Sequence, residues 1–180
     1  MGNTSVLGMV LGDDNPLRDS IDQTTIKALV SDDLVTANCR VRLLAERGDA
    51  NAQVLLGALI QDGCGTTTDG NEAAKWYQSA SEQDHPVAQV LLANRYRDGE
   101  GVPKDPEKMW VLYQRAADQR YAEAYYGLAV MHYFTSQPEL IEAYKWAKLA
   151  AAHLKNPGHK DLMISMIGWL EEEMTTEETA

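Results

Sequence analysis

The sequence predicts an all-α fold, an α/α solenoid of about three helical hairpins with capping helices at both ends. Three observations carry this. A block, NAQVLLGALIQDG at 51–63, returns as VAQVLLANRYRDG at 87–99 and more loosely as EAYYGLAVMHYFT at 123–135. The blocks are anchored on Ala52, Ala88 and Ala124, a period of 36 residues. A second block follows each first one: KWYQSASEQ at 75–83, VLYQRAADQ at 111–119 and KWAKLAAAH at 145–153. Two helical blocks repeating at this distance indicate stacked hairpins, because one hairpin cannot bury its apolar face alone.

Residues 1–33 form an acidic segment with six acids and two bases. It reads as partly flexible, with a short helix within 16–30 after Asn15-Pro16. The stretch SVLGMVLG at 5–12 is too short for a signal peptide and has no basic residue before it. Val6 stands where N-myristoylation needs Ser or Thr. As the sequence stands the protein reads as cytoplasmic. An export signal already cleaved would make it periplasmic or secreted.

A cap helix is expected over 34–47, with Ser31 as its N-cap and Asp32 and Asp33 at the positive end of its dipole. Its end, RLLAERGDA at 42–50, aligns with the end of a second-block helix, and Leu44 falls one period before Ala80. The helix therefore plugs the first hairpin as half a repeat.

The repeats span about 50–83, 86–119 and 122–153. In their first helices Ala52, Leu56, Gly57 and Ile60, then Ala88, Leu92, Ala93 and Tyr96, make one apolar stripe at helical spacing. The small residue at the third position lets a neighbour approach closely. Gly63-Cys64-Gly65 and Gly99-Glu100-Gly101 end these helices. Asp69 and Asp105 are the next N-caps, and Pro106 takes the first helical position. The second helices carry Ala73, Trp76, Tyr77 and Ala80, then Met109, Leu112, Tyr113 and Ala116, then Ala143, Trp146, Ala147 and Ala150. Aromatics at this spacing are core packing, not a cofactor box. The third repeat is worn: its loop lacks the glycines and is two residues shorter, and His132 replaces the stripe tyrosine. A final amphipathic helix follows at about 159–174, with Leu162, Ile164, Met166, Ile167 and Leu170. Thr175 to Ala180 form a frayed tail.

The 180 residues fit a single domain, and no apolar run reaches membrane-spanning length. The net charge of −11 sits on the flanks, with −4 in 1–33, −4 in 154–180 and only −3 between. That acidity serves solubility or steers a basic partner, and the lack of a basic stripe excludes nucleic acid. Cys39 and Cys64 do not follow the repeat. They form one bridge in an oxidising compartment or stay as two buried thiols in a reducing one.

Catalytic signatures are missing. No nucleophile elbow, phosphate loop or Cys-x-x-Cys occurs. His85, His132, His153 and His159 form no metal-binding pair motif, although His153 and His159 straddle the Asn156-Pro157-Gly158 turn. Cys64 has no basic neighbour in sequence to activate it. Glu171-Glu172-Glu173 is a solvated helix end. No catalytic residue, cofactor or metal is expected, and a metal- or thiol-dependent regulatory enzyme is the weakest alternative.

The pattern A-x-x-x-L-G-x-x-Y, then D-G-x-G-V-x-K-D, then A-A resembles the Sel1-like repeat. The second repeat carries it through Ala88, Leu92, Tyr96, Asp98, Gly99, Gly101, Val102, Lys104, Asp105, Ala116 and Ala117, with Ala93 for the usual Gly. The first keeps Ala52, Leu56, Gly57, Asp62, Gly63, Gly65 and Asp69. The third keeps Ala124, Leu128, Ala143, Ala150 and Ala151. The resemblance covers about residues 34–174. It implies a right-handed solenoid related to tetratricopeptide repeats, acting as an adaptor or scaffold, in a family widespread in bacteria. Some small members resemble immunity proteins that neutralise a secreted toxin, including type VI lipase-type effectors.

In such stacks the first helices line the concave face. Positions two, six and nine after each anchoring alanine point away from the buried stripe. They are Val54, Ala58 and Gln61, then Val90, Asn94 and Arg97, then Tyr126, Val130 and Tyr133. Arg97, Tyr126 and Tyr133 are of the type that anchors interfaces. The tyrosines serve that role or pack against the C-terminal helix. The expected function is binding of another protein by a monomeric module, either as an adaptor or as an inhibitor of a toxin.

Overall fold

The computed structural model describes residues 23–31, 33–134 and 139–177, with backbone only at 23, 24, 26, 30 and 175–177. Most of the acidic N-terminal segment, Asp32 and the last three residues lie outside these ranges. Among the described residues there are nine helices and no strand. They are α1 (Gln23–Val30), α2 (Leu34–Glu46), α3 (Ala50–Asp62), α4 (Gly70–Glu82), α5 (Pro86–Asp98), α6 (Pro106–Asp118), α7 (Ala122–Tyr133), α8 (Leu140–His153) and α9 (Pro157–Glu177). None is long and apolar enough to cross a membrane. The chain divides into two compact units, 1–109 and 110–180, with the division inside α6. A single domain was expected from length. In a helical array each repeat packs mainly on its neighbours, so no one centre gathers the whole chain.

In the first unit, α2 to α5 are each 13 residues long. The starts of α2, α4 and α6 are set by aspartate caps that follow the repeat. Asp33 accepts from the Thr36 N–H at 3.3 Å. Asp69 accepts from the N–H groups of Asn71 and Glu72 at 2.9 and 3.0 Å. Asp105 accepts from the Lys108 N–H at 3.0 Å. Each side chain satisfies a donor that the helix start leaves unpaired. Ser31 is not the cap of α2. Since α1 ends at Val30, Ser31 sits in the turn behind it and donates its hydroxyl to the Ala28 carbonyl at 3.3 Å.

The loops are held by close backbone approach. Gly65 (φ +69°) lies against the Leu34 carbonyl at the start of α2, and Gly101 (φ +74°) lies against the Gly70 carbonyl at the start of α4. The same loop therefore docks on α2 and on α4, which makes α2 the second helix of an incomplete repeat. Buried glutamines add a second tie at the same register. Gln53 donates to the Ala45 carbonyl at 3.2 Å, and Gln89 donates to Asp84 at 3.4 Å.

Cys64 is buried in the first loop and Cys39 is exposed on α2, both as free thiols. The pair is thus not two buried thiols. Ala37, Asn38 and Val41 carry the inward face of α2, and Cys39 points the other way.

His85 caps α5, one period after Asp49 caps α3. The His85 Nδ1 accepts from the Ala88 N–H at 3.4 Å, so Nε2–H donates to Asn51 Oδ1 at 2.8 Å. Burial holds the His85 pKa below the ordinary imidazole value, against the opposing pull of Asp49. The folded pKa is therefore lower than the unfolded one. The stability contributed by neutral His85 is full above about pH 6.5 and is lost as pH falls from there toward the folded pKa. Urea unfolding at about pH 7.5 and about pH 5.5 is expected to show this loss, reduced in His85→Asn, which keeps an acceptor at the cap. The same pH dependence in both proteins would assign the effect to other groups.

The second unit begins within α6. Tyr113 is 1% exposed and its ring lies on Gly127 of α7. The residues that flank the shortened segment before α8 meet differently from those of the glycine loops. Glu139 makes no side-chain cap for α8. Its carboxylate meets His132 Nδ1 at 2.7 Å, and its N–H donates to the His132 carbonyl at 3.1 Å. The backbone bond has a counterpart in Asp105 N–H to the Tyr96 carbonyl, also 3.1 Å. His132 thus substitutes a side-chain clasp for the missing glycines. The helix α9 extends past both ends of its predicted span. Pro157 suits a first helical position and Asn156 accepts from the His159 N–H at 3.1 Å. Met163, Met166 and Leu170 form its buried stripe.

Candidate protein-binding face

The face predicted on the first helices divides between the two units. In the first unit, α3 is buried without a break from Ala52 to Ile60. Val54 is 0%, Ala58 6% and Val90 8% exposed, so these three are packing residues. For Val54 and Ala58 the reason lies in composition: from Val54 to Ile60 α3 has no polar side chain, and a stretch apolar all round is buried all round.

The open positions lie toward the C-terminal ends of α3 and α5. Gln61 and Asn94 are half-buried and Arg97 is exposed. Gln61 accepts from the Tyr77 hydroxyl at 2.9 Å. Arg97 forms a bidentate pair with its neighbour Asp98, both bonds at 2.9 Å. That pair holds the Asp98 carboxyl below its ordinary pKa. The guanidinium plane is oriented in advance and lies in solvent, where such a pair adds little stability.

Beside these positions is a polar cluster that the sequence reading passed over. Arg95, on α5, pairs with Glu100 of the glycine loop, and its side chain is 12% exposed. Burial raises the Asp62 pKa, and Arg95 opposes the rise. Burial also raises the Tyr77 pKa, again opposed by Arg95. Arg95 thus offsets the cost of desolvating the half-buried Asp62 carboxylate at the end of α3. A basic residue inside the apolar block VLLANRYRDG was the available signal.

In the second unit Tyr126, Val130 and Tyr133 are all half-buried. Tyr126 stacks on His159 of α9, with centroids 4.8 Å apart and planes at 18°. Of the two uses left open for the tyrosines, Tyr126 has packing against the C-terminal helix. Tyr133 meets Phe134 edge-on at 4.9 Å, and Phe134 is 76% exposed. Beneath them, Tyr125 stacks on Trp146 at 5.8 Å and meets His153 at 6.2 Å. His153 and His159 therefore engage different rings. Among the described residues no group of three or more His, Cys, Asp or Glu is placed to hold a metal ion.

Comparison with known proteins agrees with this architecture. The Sel1 repeat matches residues 50–85, 86–121 and 122–153. No curated protein matches the sequence. Among solved structures, a Sel1 repeat protein from Oxalobacter formigenes is 26% identical with a TM-score of 0.70, over 81% of this chain and 57% of that one. A protective antigen of uropathogenic Escherichia coli strains with an SLR fold is 20% identical with a TM-score of 0.62, over 74% of this chain and 33% of that one. The second likeness shows fold alone, and this chain spans less than two thirds of either protein. With three consecutive repeats matched and their loops and caps recurring in register, the chain belongs to the Sel1 repeat family of protein-interaction modules.

Proposed function

We propose that the chain binds a partner protein through the open positions of its first helices and does no chemistry of its own. The observation that carries this reading is the run of three Sel1 repeats. Arg97 is the anchor in the first unit, with Gln61 and Asn94 beside it. Val130 and Tyr133 supply the apolar contact in the second, where Tyr126 packs against α9 through His159. Val54, Ala58 and Val90 hold the helices in place. Arg and Tyr are the residue types whose truncation most often costs about 2 kcal/mol or more at interfaces. Adaptor and toxin inhibitor are two forms of this reading. Tight binding to one protein marks the inhibitor, and weaker binding to several marks the adaptor.

The test compares affinity capture by the wild type and by an Arg97→Glu, Tyr133→Ala variant whose circular dichroism and unfolding midpoint show it folded. A partner held by the wild type and lost by the variant is expected. Equal capture by both would place binding elsewhere.

A further inference from the structure

The last helix, α9, buries a narrow stripe. Met163, Met166 and Leu170 are 0%, 4% and 0% exposed and mark its inward side. Leu162 and Trp169 lie about 80° away from the middle of that stripe. They are 43% and 56% exposed, so packing within the chain leaves about half of each in solvent. Seven residues apart, they stand within about 20° of each other around the helix and about 10 Å apart along it. Gly158 and Ser165, both exposed, continue the same side. The positions 158, 162, 165 and 169 step by four, three and four, which is the spacing of a helix–helix seam.

This seam matches its own reverse. Turned end for end about residues 165 and 166, it sets Leu162 opposite Trp169 and Ser165 opposite itself. Large side chains then meet at both ends, and the small Ser165 lets the helices approach at the middle. The charges match in the same sense. Residues 155–163 carry two lysines and one acid, whereas 171–177 carry four acids and no base. Acids at a helix C-terminus oppose its macrodipole. An antiparallel neighbour brings its lysines and its positive N-terminal end to those acids, whatever each carboxylate touches within its own chain. A parallel neighbour would set the two acidic ends side by side.

We infer that α9 pairs antiparallel with α9 of a second copy of this chain. Leu162 of each helix packs on Trp169 of the other, and Ser165 sits at the two-fold axis. Such a contact is isologous and closes at two copies. It differs from the monomer expected from the sequence, which rested on capped ends. With two large apolar side chains per copy, the dimer is weak and forms on the order of tens of micromolar protein. Arg97 and Tyr133 take no part in it, so it stands apart from the function proposed above.

Sedimentation equilibrium of the whole chain over about 1–200 µM is expected to show a reversible dimer. Trp169→Ala is expected to weaken it about tenfold, and added salt to weaken it as well. Trp110→Ala removes a tryptophan of α6 that is 45% exposed and is expected to dimerise as the wild type does. Ser165→Cys tests the register while keeping both apolar side chains. It is made in Cys39→Ser, which removes the other exposed thiol and leaves Cys64 buried. With oxidised glutathione as oxidant it is expected to give a disulfide-linked dimer, and Lys75→Cys, an exposed position on α4, is not. A monomer across the whole range, an equal loss in Trp110→Ala, or cross-linking of Ser165→Cys no faster than of Lys75→Cys would overturn the pairing.

Discussion

Gly101→Ala and Gly65→Ala are each expected to destabilise the protein by about 3–5 kcal/mol, near the upper end of single-substitution effects. Two costs combine. Both residues have positive φ, at +74° and +69°, which costs a side-chain-bearing residue about 1–2 kcal/mol. Their missing Cβ atoms also leave room for a main-chain carbonyl, that of Gly70 and of Leu34 respectively. A backbone oxygen inside a docked helix start cannot rotate away as a side-chain tip can. Gly48 is the control: its φ is +93°, but a Cβ there would meet nothing within 4 Å. Gly48→Ala should cost only the conformational part, about 1–2 kcal/mol. Denaturant midpoints of the three variants decide this. If Gly101→Ala cost no more than Gly48→Ala, loop docking would not be what holds the repeats in register.

The second large effect is a reversal of sign among helical glycines. Gly57→Ala and Gly127→Ala each gain about 1 kcal/mol of helix propensity. They also drive a methyl into Tyr77 or Tyr113, rings that are 0% and 1% exposed. Tyr77 cannot yield cheaply, because its hydroxyl is bonded to Gln61 at 2.9 Å. Overpacking of this kind costs about 1–3 kcal/mol, and the observed loss is the remainder after the propensity gain. Gly168→Ala keeps the gain without the clash and should stabilise by about 0.5–1 kcal/mol. Thermal unfolding of the three variants would show midpoints moving in opposite directions. A stabilised Gly57→Ala would mean that the ring has space the geometry denies.

The same glycines show how far the chain can be read before it is folded. Gly57 stands where the repeat pattern calls for a small residue, and the predicted close approach occurs, made by a tyrosine ring. Gly127 is two positions off that register and answers to the tyrosine of the preceding hairpin. Asp33 was legible and missed: it stands one period before Asp69 and two before Asp105, and the period is a stronger signal than the preference for serine at Ser31. The His132–Glu139 clasp had no such signal, because it joins two residues across a loop that departs from the repeat.

The sequence by itself determined the helical class, the 36-residue period, the glycine-bearing loops and the aspartate caps. These depend on local chemistry, such as a left-handed turn, an unpaired N–H or an apolar stripe, and local chemistry is written in neighbouring residues. Tertiary structure decided which sides of the helices meet solvent. Periodicity gives the angle of Val54 or Val90 around its helix, but not how many neighbours surround that helix. It likewise gives Leu162 and Trp169 a common direction on α9, and only the burial of Met163, Met166 and Leu170 shows that this direction faces outward.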